Sequence, residues 1–593
     1  MSPNSTLYPQ LILKPSSGYV SATHSRHGGL EKSLEASTSS EEPVSRHVQK
    51  TLIYHVSRYQ LCTSFLIRET NPIIGHTISK EELFKYTNGR FLSEEESQLS
   101  KRYVRFDIDR LCGVIANVSG TGTQQVSSID KMEGGFSKAL LMTTLDGGEY
   151  IVKIPCPNAG RPMYCTASEV AVLDFVRTHT TIPVPKVLAW STDSTNPVGV
   201  EYIVMERVPG VQIFKKWTEM GDVDRLSIVK RLTQWEHELA EIPFPAFGSL
   251  YHKGSLSDRE SIPLDPSVDP EGLFCVGPSC DSHWLMQHSP DVHYGPWKTI
   301  GDFGEALINR SLLKSQHGPK AKLPASLNSP LEEHLVTLGV AKEIMPAMAT
   351  NVKLLAQSQP TLWHTDIHMG NIFVAEDEPD KVTGFIDWQH TSISPLFMQV
   401  RWPTFLAPPE DYPEGQVMPQ LPPGYEDMEA EDKEIALYIK QKATWAKAYE
   451  VATLLNDKKA WRAMQLPLAL KELFRRCGDT WDEGILPLRE TLIELFRSQR
   501  ELGFETDISL HFNDEQIAAH EKEFQAYEEW HEIRSFVKKL LDTDDDGWIP
   551  PEYDFTEMKS RNKMLFDYYV SKPDLNKTPD EVRRLWPFSL DGL

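Results

Sequence analysis

The chain has 593 residues, 40% hydrophobic and 24% charged, the composition of a globular protein with room for several domains or one elaborated unit. Its formal net charge of −23 excludes a general nucleic-acid binder, which needs a basic stripe to replace phosphate counterions, although a local positive pocket stays compatible. Seven cysteines are few and odd in number, which excludes a disulfide scaffold and fits a reducing compartment.

Residues 1–75 read as a disordered or targeting extension, rich at first in Ser, Gly, Pro and His. No acid lies between Glu42 and Glu69, where Arg46, Lys50, Arg58 and Arg68 alternate with Leu52, Ile53, Val56, Leu61, Phe65, Leu66 and Ile67. That is transit-peptide chemistry, displaced from the start, so a mitochondrial location is expected, with the cytoplasm as the alternative. No apolar run reaches the roughly eighteen residues of a membrane span, so no transmembrane segment is expected. Residues 76–122 read as a helical lead-in.

From 123 the pattern turns to strand. "KALLMTTL" and "EYIVKIP" flank Asp146–Gly148, a hairpin signal. "TASEVAVLDFVRTHT" predicts a helix capped by Thr166 or Ser168, with Glu169, Val172, Leu173 and Val176 on one face. Two further extended stretches follow, the second ending at Pro209-Gly210. Residues 123–209 are therefore expected to form a small sheet with one helix.

Residues 210–540 read as mainly helical, interrupted by two short strands near "LWHTDIHMGNIFV" and by a proline-rich loop before long charged helices. Residues 541–593 are expected as a tail packed on that helical part. No internal repeat is found.

The chemistry concentrates in His364–Asn371. "NIFVA" and "VTGFID" predict a hairpin about "EDEPDK", whose centre near residue 379 sets Asn371 opposite Asp387. Asp366 lies in the loop feeding the first strand. Asp and Asn oxygens suit a hard cation, Mg²⁺ above all. H-x-D-x-x-x-x-N followed by a strand-borne Asp is the kinase order of a base and two metal ligands. A transition-metal site of His364, Asp366 and His368 is the competing reading, and a polar turn without chemistry a third.

Upstream, "EGGFSK" places Gly134 and Gly135 between two strands, where backbone can approach phosphates. Lys153 falls mid-strand and Glu169 on the inward helix face, the pair that positions nucleotide phosphates in kinases. The joint order is more specific than any one of these features.

With these residues the chain resembles the aminoglycoside-phosphotransferase branch of the protein-kinase-like fold, whose motif is H-G-D-x-H-x-x-N followed by I-D-W. His364 to Asn371 and Ile386-Asp387-Trp388 match it, with Thr365 in place of the usual small residue. From about residue 80 onward, "FKYTNGRFLSEEE", "FPAFGSLY" and "DDDGW" also resemble the fungal family called altered inheritance of mitochondria protein 9. The resemblance implies a bilobal α+β fold, with a β-rich nucleotide lobe at 123–209 and a mainly helical catalytic and substrate lobe at 210–540. It implies an ATP- and Mg²⁺-dependent phosphotransferase acting on a hydroxyl of an unidentified small molecule. Asp366 would be the catalytic base, and Asn371 and Asp387 the Mg²⁺ ligands. Gly134, Gly135, Lys153, Glu169 and the linker at Glu206–Val208 would contact nucleotide. His364 would be structural, and His368 structural or cleft-lining. "FCVGPSCDSHW" and "GPWKTIGDFGEAL" are expected to line or cover the cleft. A nucleotide-binding mitochondrial regulator with little turnover is the alternative, because the helical C-terminal region exceeds what a minimal small-molecule kinase needs. No motif sets the oligomeric state.

Two further clusters carry weaker signals. Cys275, Cys280, His283 and His288 are close in sequence but match no common zinc spacing. Asp542, Asp544, Asp546, Gly547 and Ile549 open like a calcium loop, but Tyr553 holds the position that needs a bidentate glutamate, and Pro550-Pro551 oppose the second helix.

Overall fold

The computed structural model describes residues 79–120, 126–257, 259–284, 292–316, 323–324, 327–504, 510–572 and 577–590. The expected extension at 1–75 and His288 lie outside these. Among the described residues no helix is long and apolar enough to cross a membrane.

The first lobe is a five-stranded antiparallel sheet in the order β2-β3-β4-β6-β5. Its strands are β2 (Val126–Glu133), β3 (Ser137–Thr144), β4 (Glu149–Pro155), β5 (Val187–Ser191) and β6 (Tyr202–Glu206). The Asp146–Gly148 signal is borne out: β3 and β4 join there, with Gly147 at φ 85° and its N–H on the Thr144 carbonyl. Leu140, Met142, Val152, Ile154 and Val204 fill the face covered by α1 (Lys80–Phe84) and α2 (Ile108–Val118).

The predicted helix is α3 (Tyr164–His179), which starts before either predicted cap. Thr166 and Ser168 are buried within its first turns. The carboxylate of Glu201, ahead of β6, takes the capping role: it accepts the Met163 N–H at 2.8 Å and the Thr166 hydroxyl at 2.6 Å. A cap supplied from another part of the chain leaves no local sequence signal. Glu169, Val170, Ala171, Val172, Leu173, Phe175 and Val176 are all buried, so α3 is a core helix rather than a one-faced one.

The second lobe is built on α4 (Asp222–Ala240), α5 (Ile300–Gln316), α6 (Leu331–Thr350), α7 (Ala430–Asn456), α8 (Leu468–Glu483), α9 (Leu486–Ser498) and α10 (Asp514–Leu541). It also holds a three-stranded sheet that the helical reading missed: β8 (Ser249–His252), β9 (Ile262–Pro263) and β10 (Phe274–Gly277), in the order β8-β10-β9. These strands are too short and too fully buried to show alternation, which is the signal sequence reading depends on. Two small ladders carry the motif region. β11 (Pro360–Leu362) pairs with β14 (Ile393–Pro395). β12 (Ile372–Val374) lies between β13 (Val382–Phe385) and β7 (Val211–Gln212). Trp363, Trp388, Phe247 and Phe474 are large side chains fully buried in this lobe's core.

The tail holds β15 (Trp548–Ile549), α11 (Phe555–Val570) and α12 (Pro579–Leu585). It packs on α10 as expected, but β15 also pairs with β1 (Arg90–Phe91) of the lead-in. The calcium-like turn closes on its own backbone: Asp544 Oδ1 accepts the Asp546 and Trp548 N–H groups, and Asp545 pairs with Lys538 and Arg534.

Glu236 of α4 is 6% exposed, and its Oε1 meets no hydrogen-bond partner. Burial pushes its carboxyl up to about 8, so it is protonated at neutral pH. The folded state therefore holds a proton that the unfolded chain releases near 4.5. Stability from this group is present below 4.5 and lost as pH rises toward 8. Urea unfolding of Glu236→Gln should show a flatter stability profile from pH 5 to pH 8 than the parent. Parallel profiles would overturn the assignment.

Candidate active site

The β12–β13 hairpin forms as predicted but one residue out of the expected register. Ile372 pairs with Phe385 and Val374 with Val382, with an irregularity between Phe373 and Val374. Asn371 therefore faces Ile386, whose N–H donates to its carbonyl at 3.0 Å. Asp387 stands one residue further on, in the left-handed region at φ 64°. For a non-glycine residue this conformation costs of the order of 1 kcal/mol and needs the surroundings to hold it.

Lys153 provides that hold. From β4 its ammonium reaches Glu169 Oε1 of α3 and Asp387 Oδ1, both at 2.6 Å. Lys153 is 8% exposed and Glu169 4%. Burial alone would neutralise the lysine, yet Asp387 and Glu169 raise its pKa above the ordinary lysine value. Burial likewise opposes ionisation of Asp387, but the Lys153 ammonium holds its carboxyl below the usual range. At Glu169 burial wins, and its carboxyl is raised.

His364 is buried beneath the loop. Its Nδ1 accepts the Asp366 N–H at 3.2 Å, so Nε2 carries the proton and donates to the Ile386 carbonyl at 3.0 Å. Burial lowers its pKa, consistent with a neutral ring. His368 Nδ1 accepts the Gly370 N–H at 3.0 Å, and its Nε2 lies 3.7 Å from Asp366 Oδ2. With both His364 nitrogens and His368 Nδ1 committed to backbone, the transition-metal reading of His364, Asp366 and His368 finds no support. Among the described residues no group of three His, Cys, Asp or Glu side chains could hold a metal ion, which also leaves the Cys275–Cys280–His283 cluster without support.

Asn371 is 1% exposed, and its amide donates to the Asp366 carbonyl at 3.1 Å, tying the two ends of the motif together. The Asp366 carboxylate remains 45% exposed in the cleft. Gln212 of β7, which sequence reading did not single out, donates to the Gly370 carbonyl at 2.8 Å. Arg401 donates to the Thr365 carbonyl from the far side. Both act through backbone and so carry no side-chain motif.

The turn between β2 and β3 holds the two glycines. Gly134 spends its N–H on the Ser137 carbonyl at 3.0 Å. Gly135 is exposed, and a Cβ there would meet nothing within 4 Å. Phe136 reaches over the cleft and meets His390 edge-on at 5.2 Å. The segment at Cys280–Trp284 borders the same mouth. The Cys280 carbonyl accepts from Cys165 of α3, and Asp281 lies within electrostatic reach of His390.

The linker after β6 is anchored to its neighbours. The Glu206 N–H bonds the Lys186 carbonyl at 3.0 Å, and the Val208 side chain packs where a Cβ on Gly384 would sit. Both residues line a cavity of about 480 Å³ together with Ile182, Pro183, Pro185 and Thr383. None of Lys153, Asp366, Asn371 and Asp387 lines that cavity.

The donor set fits a hard cation. Two carboxylates and one ammonium leave one negative charge, with the half-exposed Asp387 and the amide of Asn371 beside it. Lys153→Met should strand Glu169 and Asp387 and lower stability by roughly 3–5 kcal/mol. Adding Glu169→Gln should recover part of that loss. Chemical denaturation of both single variants and of the double variant checks this, and a double loss equal to the sum of the two single losses would show that the two do not couple.

Residues 129–400 match the sequence model of the phosphotransferase enzyme family. A subtelomeric hrmA-associated cluster protein of Aspergillus fumigatus is 28% identical over 496 residues, spanning 77% of this chain and 95% of the relative. Altered inheritance of mitochondria protein 9, mitochondrial, from Saccharomyces cerevisiae is 22% identical over 592 residues, spanning 84% of this chain and 91% of the relative. Among solved structures, a thermostable mutant of aminoglycoside phosphotransferase APH(4)-Ia, in ternary complex with AMP-PNP and hygromycin B, is 14% identical. That alignment has a TM-score of 0.32 and covers 66% of this chain and 97% of the other. Over residues 129–400, a little under half of its length, the chain is similar to the phosphotransferase enzyme family.

Proposed function

We propose that this chain transfers the terminal phosphoryl group of ATP to a hydroxyl of a small molecule. The observation that carries the reading is the Lys153 ammonium held at 2.6 Å by both Glu169 and Asp387, beside the Asp366–Asn371 loop. In this reading Lys153 presents its charge to the nucleotide phosphates, and Glu169 fixes where that charge sits. Gly135 at the exposed apex lets backbone approach the phosphates, and the backbone of Glu206–Val208 meets the base.

Asn371 and Asp387 would hold Mg²⁺, which when bound would offset the phosphate charge. Asp366 orients the acceptor hydroxyl and takes its proton as the oxygen attacks the γ-phosphorus. The bond from that phosphorus to the bridging oxygen of ADP breaks. His368 Nε2–H steadies the Asp366 carboxylate, and His364 fixes the backbone of the loop. A general base in such a role contributes about 10²–10⁴-fold, so Asp366→Asn should lower turnover by that order while nucleotide binding persists.

The acid-free stretch from Arg46 to Arg68, together with relatives named as mitochondrial, supports a mitochondrial location. Subcellular fractionation of the tagged chain tests it, and a wholly cytosolic signal would sink it.

Thermal unfolding with ATP and Mg²⁺ is the direct test of the nucleotide reading. A ligand at a hundred times its dissociation constant stabilises the native state by roughly 2.7 kcal/mol. The wild type should show a Mg²⁺-dependent rise that Asp387→Ala abolishes. No rise at millimolar ATP would reject the kinase reading and favour a regulator without nucleotide chemistry.

A further inference from the structure

The glycine turn is gripped from behind by the lead-in, residues 82–102. Glu133, at the end of β2, is 3% exposed, and its Oε2 accepts the N–H and the hydroxyl of Thr87 at 2.7 and 3.0 Å. Its own carbonyl accepts from Asn88 at 2.8 Å. Lys131 and Lys138, 1% and 0% exposed, flank the same turn. Lys131 donates to the carbonyls of Glu82 and Lys85, both at 2.7 Å. Lys138 donates to the Lys85 carbonyl at 2.9 Å and pairs with Glu133. Arg102 donates to the Gly135 carbonyl itself at 3.1 Å, with its guanidinium over the Phe91 ring.

That segment is in turn clasped by the tail. Trp548 donates its indole N–H to the Asn88 carbonyl at 2.8 Å, 460 positions away in sequence, and lies 3.0 Å from the Tyr86 hydroxyl. Arg90 and Phe91 pair with Ile549 and Trp548, and the Leu92 N–H reaches the Gly547 carbonyl at 2.8 Å. The chain passes so close here that a Cβ on Gly89 would overlap Trp548 Nε1 and the Ile549 carbonyl. Gly89 at φ 116° is the residue that permits it.

We infer that Trp548 is a positioning residue for the glycine turn, acting through residues 86–92 and Arg102, so that the C-terminal tail sets the affinity of the cleft for nucleotide. The turn spends one of its few amide groups on closing itself, and on the β4 side it is held by the Cys156 N–H on the Phe136 carbonyl at 2.8 Å and by Asn158 on the Gly135 carbonyl at 3.0 Å. On its other side the lead-in holds it: the Glu82 and Lys85 carbonyls accept from Lys131 and Lys138, and Thr87 and Asn88 donate to the carboxylate and carbonyl of Glu133. The ladder and indole bond of Trp548 hold that lead-in in place. The functional half of the inference rests on the nucleotide reading above, and the structural half does not.

The test uses the full chain with Trp548→Phe, which keeps a ring but removes the donated N–H, and Arg102→Gln, which leaves the β1–β15 ladder intact. Hydrogen exchange followed by mass spectrometry reads peptides covering 131–140 without any nucleotide. Both variants should exchange faster there and be unchanged in α8. Nucleotide affinity comes from titrating MgATP in thermal unfolding. Loss of one hydrogen bond should weaken it about 3- to 10-fold. Unchanged exchange at 131–140 in both variants overturns the positioning role. Faster exchange with unchanged affinity overturns its bearing on nucleotide and leaves Trp548 merely structural. Absence of binding in the wild type defeats the nucleotide reading instead, while the exchange result still judges the clasp.

Discussion

One buried ammonium organises the junction of the two lobes. Lys153 projects from the middle of the first sheet, and its two carboxylate partners come from α3 and from the end of β13. Taking three charges out of water is unfavourable unless each finds its partner at short range. That requirement fixes α3 against the sheet, pulls the end of β13 up to β4, and holds Asp387 in a backbone conformation it would otherwise avoid. The Glu201 cap on α3 and the His364 bond to Ile386 are secondary anchors for these two partners. Neither element is free to shift without stranding a charge.

Much of this was legible in the sequence because the chemistry sits in side chains at fixed spacing. The glycine turn, Lys153, Glu169 and the His364–Asn371 motif occur in an order that fold and site both obey. What was not legible depends on backbone or on distant partners. The register at Asn371 differs by one residue from the expected one, because neither the turn's exact centre nor the irregularity at Phe373 and Val374 has a residue-type signature. The α3 cap was misassigned to Thr166 or Ser168 because the acceptor comes from Glu201. The small sheet at 249–277 carries no alternation to read.

The C-terminal region appears from sequence to exceed what a small-molecule kinase needs, which was the ground for the regulator reading. In the structure it props both sides of the cleft. The Tyr449 hydroxyl of α7 lies 2.8 Å from Glu236 Oε2 and 3.2 Å from the Arg401 carbonyl. Tyr449 thereby links Glu236 of α4 to the Arg401 backbone. Arg401 then donates to the Thr365 carbonyl, next to Asp366. On the opposite side, Trp548 holds Asn88, and Asn88 holds Glu133 at the foot of the glycine turn. The loop that carries Asp366 and the turn that carries Gly135 therefore both lean on residues after 400. The extra helices are part of the cleft's framework rather than a separate module, so their presence is by itself no ground for preferring a nucleotide-binding regulator with little turnover.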